Sequence, residues 1–162
     1  YEAVLNRYRN SKSNDERSTA LRSLGRAKDP ELIKRTLHLI FSGEVKDQDI
    51  YLPISGLRSH PAGIQALFTW MTENWNELTN RLPPGLTMLG SVVSLCTSAF
   101  NSEEDLNRIQ SFFSQRSTKG FDLALAQSCD NIRSKSSWLA RDREDVKKWI
   151  TSYVEKLPKS SL

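Results

Sequence analysis

The chain has 162 residues, of which 38% are hydrophobic and 26% charged, and its formal net charge is +4. This composition suits one packed domain or a few helical repeats and excludes disorder over most of the chain. No apolar run approaches the ~18–20 residues that a membrane span needs, and no signal peptide opens the sequence. We therefore expect no membrane partner. The chain starts at Tyr1 without a methionine, within an apparent helix, which predicts a fragment of a longer protein.

The basic residues are scattered along the chain and interleaved with acidic ones. A nucleic-acid site would normally show a basic stripe with aromatic residues between the charges. We therefore expect solvated helix faces and no nucleic-acid partner. A nucleic-acid-binding solenoid remains a third alternative, and it requires the Lys and Arg residues to gather on one face.

Helical periodicity runs through the whole chain, and no alternating strand pattern is convincing. Asp29-Pro30-Glu31 is a strong start signal, because Asp29 can accept from the first turn and Pro30 needs no donor there. Gly43 is predicted to end that helix in a left-handed conformation. All helix starts predicted in this way, in chain order, lie near Asp15, Asp29, Asp47, His60, Pro84, Ser102, Lys119 and Asp142.

These starts group into four pairs, whose first members are separated by 32, 37 and 35 residues. A period in this range indicates stacked αα-hairpins, each burying its apolar face on its neighbours. The expected fold is all-α, an α-α superhelix of HEAT/armadillo-like helix pairs over residues 1–157. Residues 158–162 are predicted to be a polar tail, with a loose peroxisomal signal at residues 160–162 as the open alternative.

The usual catalytic and metal-binding motifs are missing from the sequence. His38 and His60 are 22 residues apart, so they cannot form an H-E-x-x-H zinc pair. We expect His38 to be a surface or core histidine and His60 to help begin a helix. Cys96 and Cys129 lie in apolar helical patterns and are predicted to be buried thiols in a reducing compartment. We therefore expect no catalytic, cofactor-binding or metal-binding residue in this chain, and no enzyme activity of its own.

Several blocks of the sequence are similar to one known family. The most specific is Trp70-x4-Trp75-x2-Leu78, and the others are residues 20–25, 29–33, 45–49, 112–113 and 132–139. Together they resemble the C-terminal helical domain of zinc aminopeptidases of the puromycin-sensitive and aminopeptidase N type, with cytosolic fungal members most similar. The resemblance extends from about Asn6 to Ile150.

The resemblance implies a function for the chain. In such enzymes the zinc site and the motif that binds the substrate's amine lie in an upstream catalytic domain, so zinc belongs to the parent enzyme and not to this fragment. The C-terminal domain is non-catalytic, closes over the catalytic domain and limits peptide access. The implied partners are that catalytic domain and peptide substrates, and the implied location is the cytoplasm.

Some details stay open at this point. Some relatives carry an arginine where this chain has Ser91, so that residue's role is not carried over. Arg58 and Gln48 are candidates for peptide contact on an inner face. The four tryptophans (Trp70, Trp75, Trp138 and Trp149) are expected to pack in the core, with peptide stacking as the alternative. The alternative function is a free-standing helical-repeat adaptor that binds an extended peptide or a partner helix.

Overall fold

The computed structural model describes residues 1–83 and 87–156, and within these ranges it is entirely helical, with no strand. A 3-10 turn at Asp47–Asp49 precedes α4. The α-helices are α1 (Glu2–Asn10), α2 (Asn14–Leu24), α3 (Pro30–Phe41), α4 (Tyr51–Leu57), α5 (Pro61–Glu73), α6 (Trp75–Arg81), α7 (Thr87–Thr97), α8 (Glu103–Phe113) and α9 (Asp122–Glu155). The start predicted near Pro84 and the tail at 158–162 lie outside the described residues.

The capping residues act as the sequence predicts. Asp29 Oδ1 accepts from the backbone N–H of Glu31 at 2.9 Å and of Leu32 at 3.2 Å. Ser102 Oγ accepts from the N–H of Asp105 at 3.1 Å, and it also donates to the Asp105 carboxylate at 2.6 Å. Gly43 follows α3 with φ +84°, a conformation that a residue with a side chain rarely adopts.

The helices form two layers. In the first layer α2 packs on α4, α4 on α7 and α7 on α9, and in the second α3 packs on α5. The second layer continues to α8 through edge-to-face contacts of Phe68 with Phe100 and Phe112, whose ring centroids lie 5.7 and 6.4 Å away. The members of the first layer are the first members of the predicted pairs. The first three predicted helix pairs are therefore confirmed, as α2 with α3, α4 with α5 and α7 with α8, and α1 adds a further helix packed on α2.

Two glycines bring α2 and α4 into backbone contact. A Cβ added to Gly25 would lie 2.2 Å from the Pro53 carbonyl oxygen, and one added to Gly56 would lie 2.2 Å from the Arg22 carbonyl oxygen. Both separations are far below van der Waals contact. Only glycine therefore allows α2 and α4 to approach this closely.

A single arginine links the short helix α6 to the end of α3 and the loop after it through three hydrogen bonds. Arg81 Nε donates to Asp47 at 2.6 Å, and its other two nitrogens donate to the carbonyl oxygens of Ile40 and Val45. Since the Arg81 side chain is largely buried, these bonds also satisfy carbonyl groups that have lost water. The sequence did not predict α6 as a separate helix, because the apolar spacing of the preceding helix continues as far as Trp75.

The predicted helix start at Asp142 is wrong. Residues 122–155 form one continuous helix, because no proline or glycine interrupts this run. The Asp142 carboxylate pairs with its neighbour Arg141 at 2.8 Å instead of capping a new helix. The fourth predicted pair is therefore a single long α9, and its residues 143–155, which are all exposed, are called the projecting segment below.

The tryptophans divide between the core and the surface. Trp70 is buried, and Trp75 is half-buried against Phe112, Phe113 and Phe121, with centroid distances of 5.3–5.8 Å. Trp138 and Trp149 are 49% and 66% exposed, so the expectation of core packing is wrong for these two. Both tryptophans belong to α9, which extends beyond the helices that bury its first turns.

Candidate functional site

The described residues offer no cluster for metal chemistry. Within residues 1–83 and 87–156 there is no group of three or more His, Cys, Asp or Glu side chains that could hold a metal ion. His38 is exposed on α3. His60 is buried, and its Nδ1 accepts from the N–H of Gly63 at 3.1 Å, which confirms its role at the start of α5. The donor set needed for zinc does not converge in this part of the chain.

Both thiols are buried and unpaired, as the sequence predicts. Burial raises the pKa of the Cys96 thiol far above its ordinary value, and it raises the pKa of Cys129 as well. A thiol is a nucleophile only as the thiolate, so this environment disfavours reactivity. The two cysteines therefore act as small apolar side chains of α7 and α9.

The N-terminal ends of three first-layer helices border a common groove, called the α7–α9 groove. Its volume is about 780 Å³. The described lining residues include Tyr51 of α4, Ser91 and Ser94 of α7, and Leu123 and Gln127 of α9. Because the beginnings of α4, α7 and α9 meet here, these helices run in the same direction.

The α7–α9 groove offers apolar surface and neutral hydrogen-bonding groups. Leu123 is among the most exposed large apolar side chains of the described chain, at 70%. Asp122 is the only charged side chain among the described lining residues. Such a surface suits the backbone amides and apolar side chains of a peptide, and no cation here is placed to select an acidic side chain.

Arg58 lies at the end of the first layer opposite the α7–α9 groove, where its side chain has a structural role. Its Nη2 donates to Ser98 Oγ at 3.0 Å, and Lys135 Nζ donates to the Ser98 carbonyl oxygen at 2.8 Å. Burial and the neighbouring Arg58 guanidinium lower the pKa of Lys135. These bonds connect the ends of α4 and α7 to the middle of α9. Gln48, by contrast, is exposed beside a small polar pocket of about 180 Å³ between α2 and α4.

A second groove lies between α3 and α5, and sequence reasoning missed it. The α3–α5 groove has a volume of about 790 Å³. Phe41 and Trp70 line it, with rings stacked at a centroid distance of 5.1 Å. Ala62 and Ala66 are four residues apart on α5 and also line it. Two alanines on one helical face are the sequence signal that the helices leave space here.

No helix in the described ranges combines the length and the apolar character that crossing a bilayer requires.

A comparison with protein families identifies the fold. A model of the ERAP1-like C-terminal domain matches residues 1–134. The chain belongs to this family. The match begins at the first residue and ends within α9, so it includes α1–α8 and both grooves. The family resemblance noted in the sequence is thereby confirmed.

Three fungal relatives of this ERAP1-like domain are named aminopeptidases. The mitochondrial aminopeptidase 2 of Saccharomyces cerevisiae is 53% identical over 93% of the chain. The alanine/arginine aminopeptidase of the same yeast is 46% identical over 94%, and aminopeptidase 2 of Candida albicans is 45% identical over 93%. The chain spans only 16–18% of the length of these relatives.

In this ERAP1-like domain, the tryptophan motif supports packing. Trp70 stacks on Phe41 beside the α3–α5 groove, and Trp75 begins α6 within the aromatic cluster. Asn74 between them ends α5, and its Nδ2 donates to the Trp70 carbonyl oxygen at 2.8 Å. The residues that carry the resemblance thus hold the second layer together.

Proposed function

We propose that the chain is part of the C-terminal, substrate-enclosing domain of a zinc aminopeptidase that removes N-terminal residues from peptides. The observation that carries this proposal is the identity of 45–53% to three proteins named aminopeptidases over more than nine-tenths of the chain. In this proposal the chain itself is non-catalytic, as the family resemblance implies, and within its described residues no cluster of side chains could hold a metal ion. Zinc, which would activate water for hydrolysis, belongs to the parent's catalytic domain.

The packing supports a concave surface on the first layer. Gly25 and Gly56 draw α2 and α4 into backbone contact, whereas α3 and α5 leave a groove of about 790 Å³ between them. When one layer of a stack is spaced more tightly than the other, the stack curves toward the tight layer. The stack therefore curves toward α2 and α4 across these two repeats, and we propose that the face of α2, α4, α7 and α9 turns toward the catalytic domain.

In this proposal the domain acts by steric gating. The α7–α9 groove presents Tyr51, Ser94 and Gln127 for hydrogen bonds to a peptide backbone, and Leu123 for apolar side chains. These contacts orient the body of a long peptide while its N-terminus reacts elsewhere. Closure of the domain over the peptide would exclude water and set a length limit.

The proposal is tested in the full-length protein by blocking one groove at a time. Ser91→Trp places bulk in the α7–α9 groove, and Thr69→Trp places equal bulk in the α3–α5 groove as a matched control; both residues are exposed. We expect Ser91→Trp to lower kcat/KM for peptides of about ten residues at least about fivefold, and to leave aminoacyl-anilide hydrolysis unchanged. Equal behaviour of the two variants would contradict the gating role.

A simpler experiment separates the two proposed classes of function. The full-length protein should contain stoichiometric zinc and hydrolyse aminoacyl-anilides, whereas the purified 162-residue chain should do neither. If the full-length protein lacks both properties, the adaptor function is favoured, and the stacked Phe41 and Trp70 of the α3–α5 groove become its candidate peptide site.

We also propose a cytoplasmic location, supported by the resemblance to cytosolic fungal members. The name of one relative places that protein in mitochondria. Cell fractionation of the tagged full-length protein distinguishes the two compartments, and recovery with a mitochondrial matrix marker would contradict the proposal.

A further inference from the structure

The projecting segment carries an apolar stripe that nothing in the described structure covers. Its members are all 40–66% exposed: Val146, Trp149, Ile150, Tyr153 and Val154. Within the stripe, the rings of Trp149 and Tyr153 stack at a centroid distance of 5.3 Å and an interplanar angle of 12°. At 1.5 Å per residue the segment is about 20 Å long. Large exposed apolar side chains gathered on one helix face are typical of interaction sites.

The stripe continues a face of α9 that is already an interface. Ser128 and Ile132 are buried and Leu139 is half-buried, and the three follow one another at helical spacing on α9, the helix that packs on α7 and α8. Val146, Ile150 and Tyr153 extend the same spacing by steps of 7, 4 and 3 residues, so they lie on the same face. The packing surface of α9 therefore runs on past the end of α7, where Lys135 meets Ser98.

We propose that this stripe docks onto an apolar surface of the parent aminopeptidase that lies outside the present chain. The proposal rests on the proposed function, because it takes the rest of that enzyme as the partner. It adds the residues that would anchor the gating domain, and it assigns Trp149 and Tyr153 as the central anchor. Aromatic residues packed at the centre of an interface contribute most of its binding energy.

The length of the relatives favours this partner over a second copy of the chain. About five-sixths of each relative lies outside the matched segment. A surface on the same polypeptide meets the stripe at a high effective concentration, whereas a second molecule must compete with it at its own much lower concentration. The tethered surface therefore occupies the stripe first.

The charged residues beside the stripe also argue against a partner whose surface carries charges of one sign only. The residues that flank it carry charges of both signs, and they include Arg143, Glu144, Asp145, Lys147 and Lys148. A membrane surface or nucleic acid would require a predominance of basic residues. A mixed rim around an apolar centre is the usual composition of a protein–protein interface.

Cysteine labelling in the full-length protein tests the proposal. Ile150→Cys lies on the stripe, and Thr151→Cys lies about 100° further around the same helical turn, outside the stripe. Both positions are exposed in the present chain, so neither substitution disturbs its core. We expect Cys at position 150 to react with a maleimide at least about tenfold more slowly than Cys at position 151. Peptide mass spectrometry would locate the label.

The outcomes are distinct. Slow labelling at 150 in a monomeric protein supports the proposal, and equal rates at the two positions overturn it. Slow labelling that disappears on dilution, together with a dimer in sedimentation that Trp149→Ser dissociates and Lys148→Ser does not, also overturns it and assigns the stripe to a second copy. The labelling readout does not depend on catalysis. Failure of the aminopeptidase function would appear separately, as absent hydrolysis by the unsubstituted protein.

Discussion

The two parts of α9 carry the same apolar spacing, but only the first part has neighbours among residues 1–83 and 87–156. Ile132 is fully buried, whereas Ile150, on the same face of the same helix, is 48% exposed. The difference shows that an amphipathic pattern indicates which face of a helix is suited to packing. It does not show that another helix packs there. Burial depends on the surrounding helices and cannot be assigned from spacing alone.

The largest expected difference between the two parts concerns the free energy of unfolding. Ile132→Ala removes a fully buried side chain and should cost about 2–5 kcal/mol, because it leaves a cavity. Ile150→Ala should change stability by no more than about 0.5 kcal/mol in the 162-residue chain. Urea denaturation of both variants measures this. Similar losses would mean that the projecting segment is packed in the isolated chain.

The close approach of α2 and α4 should be nearly as sensitive. Gly56→Ala drives a methyl group against the Arg22 carbonyl oxygen and should destabilise the chain by about 3 kcal/mol, the upper end of typical overpacking. Gly90→Ala is the matched control, since its added Cβ would lie 3.4 Å from the nearest atom, on Phe121. The control should be neutral or gain up to about 1 kcal/mol from helix propensity. Equal denaturation midpoints of the two variants would exclude a special role for the α2–α4 contact.

Amide hydrogen exchange should separate the two parts of α9 directly. In the 162-residue chain, residues 143–155 should exchange on the order of 100-fold faster than residues 124–135, because a helix without tertiary packing opens locally. In the full-length protein the proposed docking predicts that this difference shrinks. If the two parts exchange alike in the isolated chain, the segment has a partner within residues 1–162.

The smallest expected effect is a change in acid sensitivity. Arg9 donates two hydrogen bonds to Glu44, at 2.7 and 2.9 Å, and these hold the pKa of Glu44 below its ordinary value of 4.5. A lowered folded-state pKa stabilises the fold above about pH 4.5, and this contribution is lost as the pH falls through the lowered pKa. Glu44→Gln should therefore reduce the loss of stability between neutral pH and about pH 3, and only slightly, since both side chains are exposed.

A matched variant completes this last measurement. Arg141 lowers the pKa of Asp142, but the two residues are adjacent in sequence, so their interaction persists in unfolded chains. Asp142→Asn should alter the acid dependence less than Glu44→Gln. The opposite order would show that the Arg9–Glu44 pair contributes nothing to the stack.

Much of the second layer could be predicted from local signals. Asp29 with Pro30, Ser102 with Asp105, and His60 before Pro61 each begin a helix through interactions within a few residues. Such signals are readable because every participating atom lies within one helical turn. The single α9 was mispredicted because Asp142 resembles a helix start when the uninterrupted helical run around it is disregarded.

The grooves could not be predicted in the same way. The α7–α9 groove joins Tyr51 to Gln127, residues 76 positions apart, and the α3–α5 groove depends on the distance between two helices. Ser91 was singled out by resemblance, and the structure places it in the first of these grooves. The separation of helices is decided by every side chain between them, and a periodic pattern contains no such distance.

The sequence by itself determined that this chain is helical, where most of its helices begin and which family it belongs to, because caps, periodicity and motif residues act over short range. Only the tertiary structure decided that Gly25 and Gly56 close one layer, that Arg58 and Lys135 meet at Ser98, and that Trp149 is exposed. These depend on which helices become neighbours, and that choice minimises the exposed apolar surface of the whole stack.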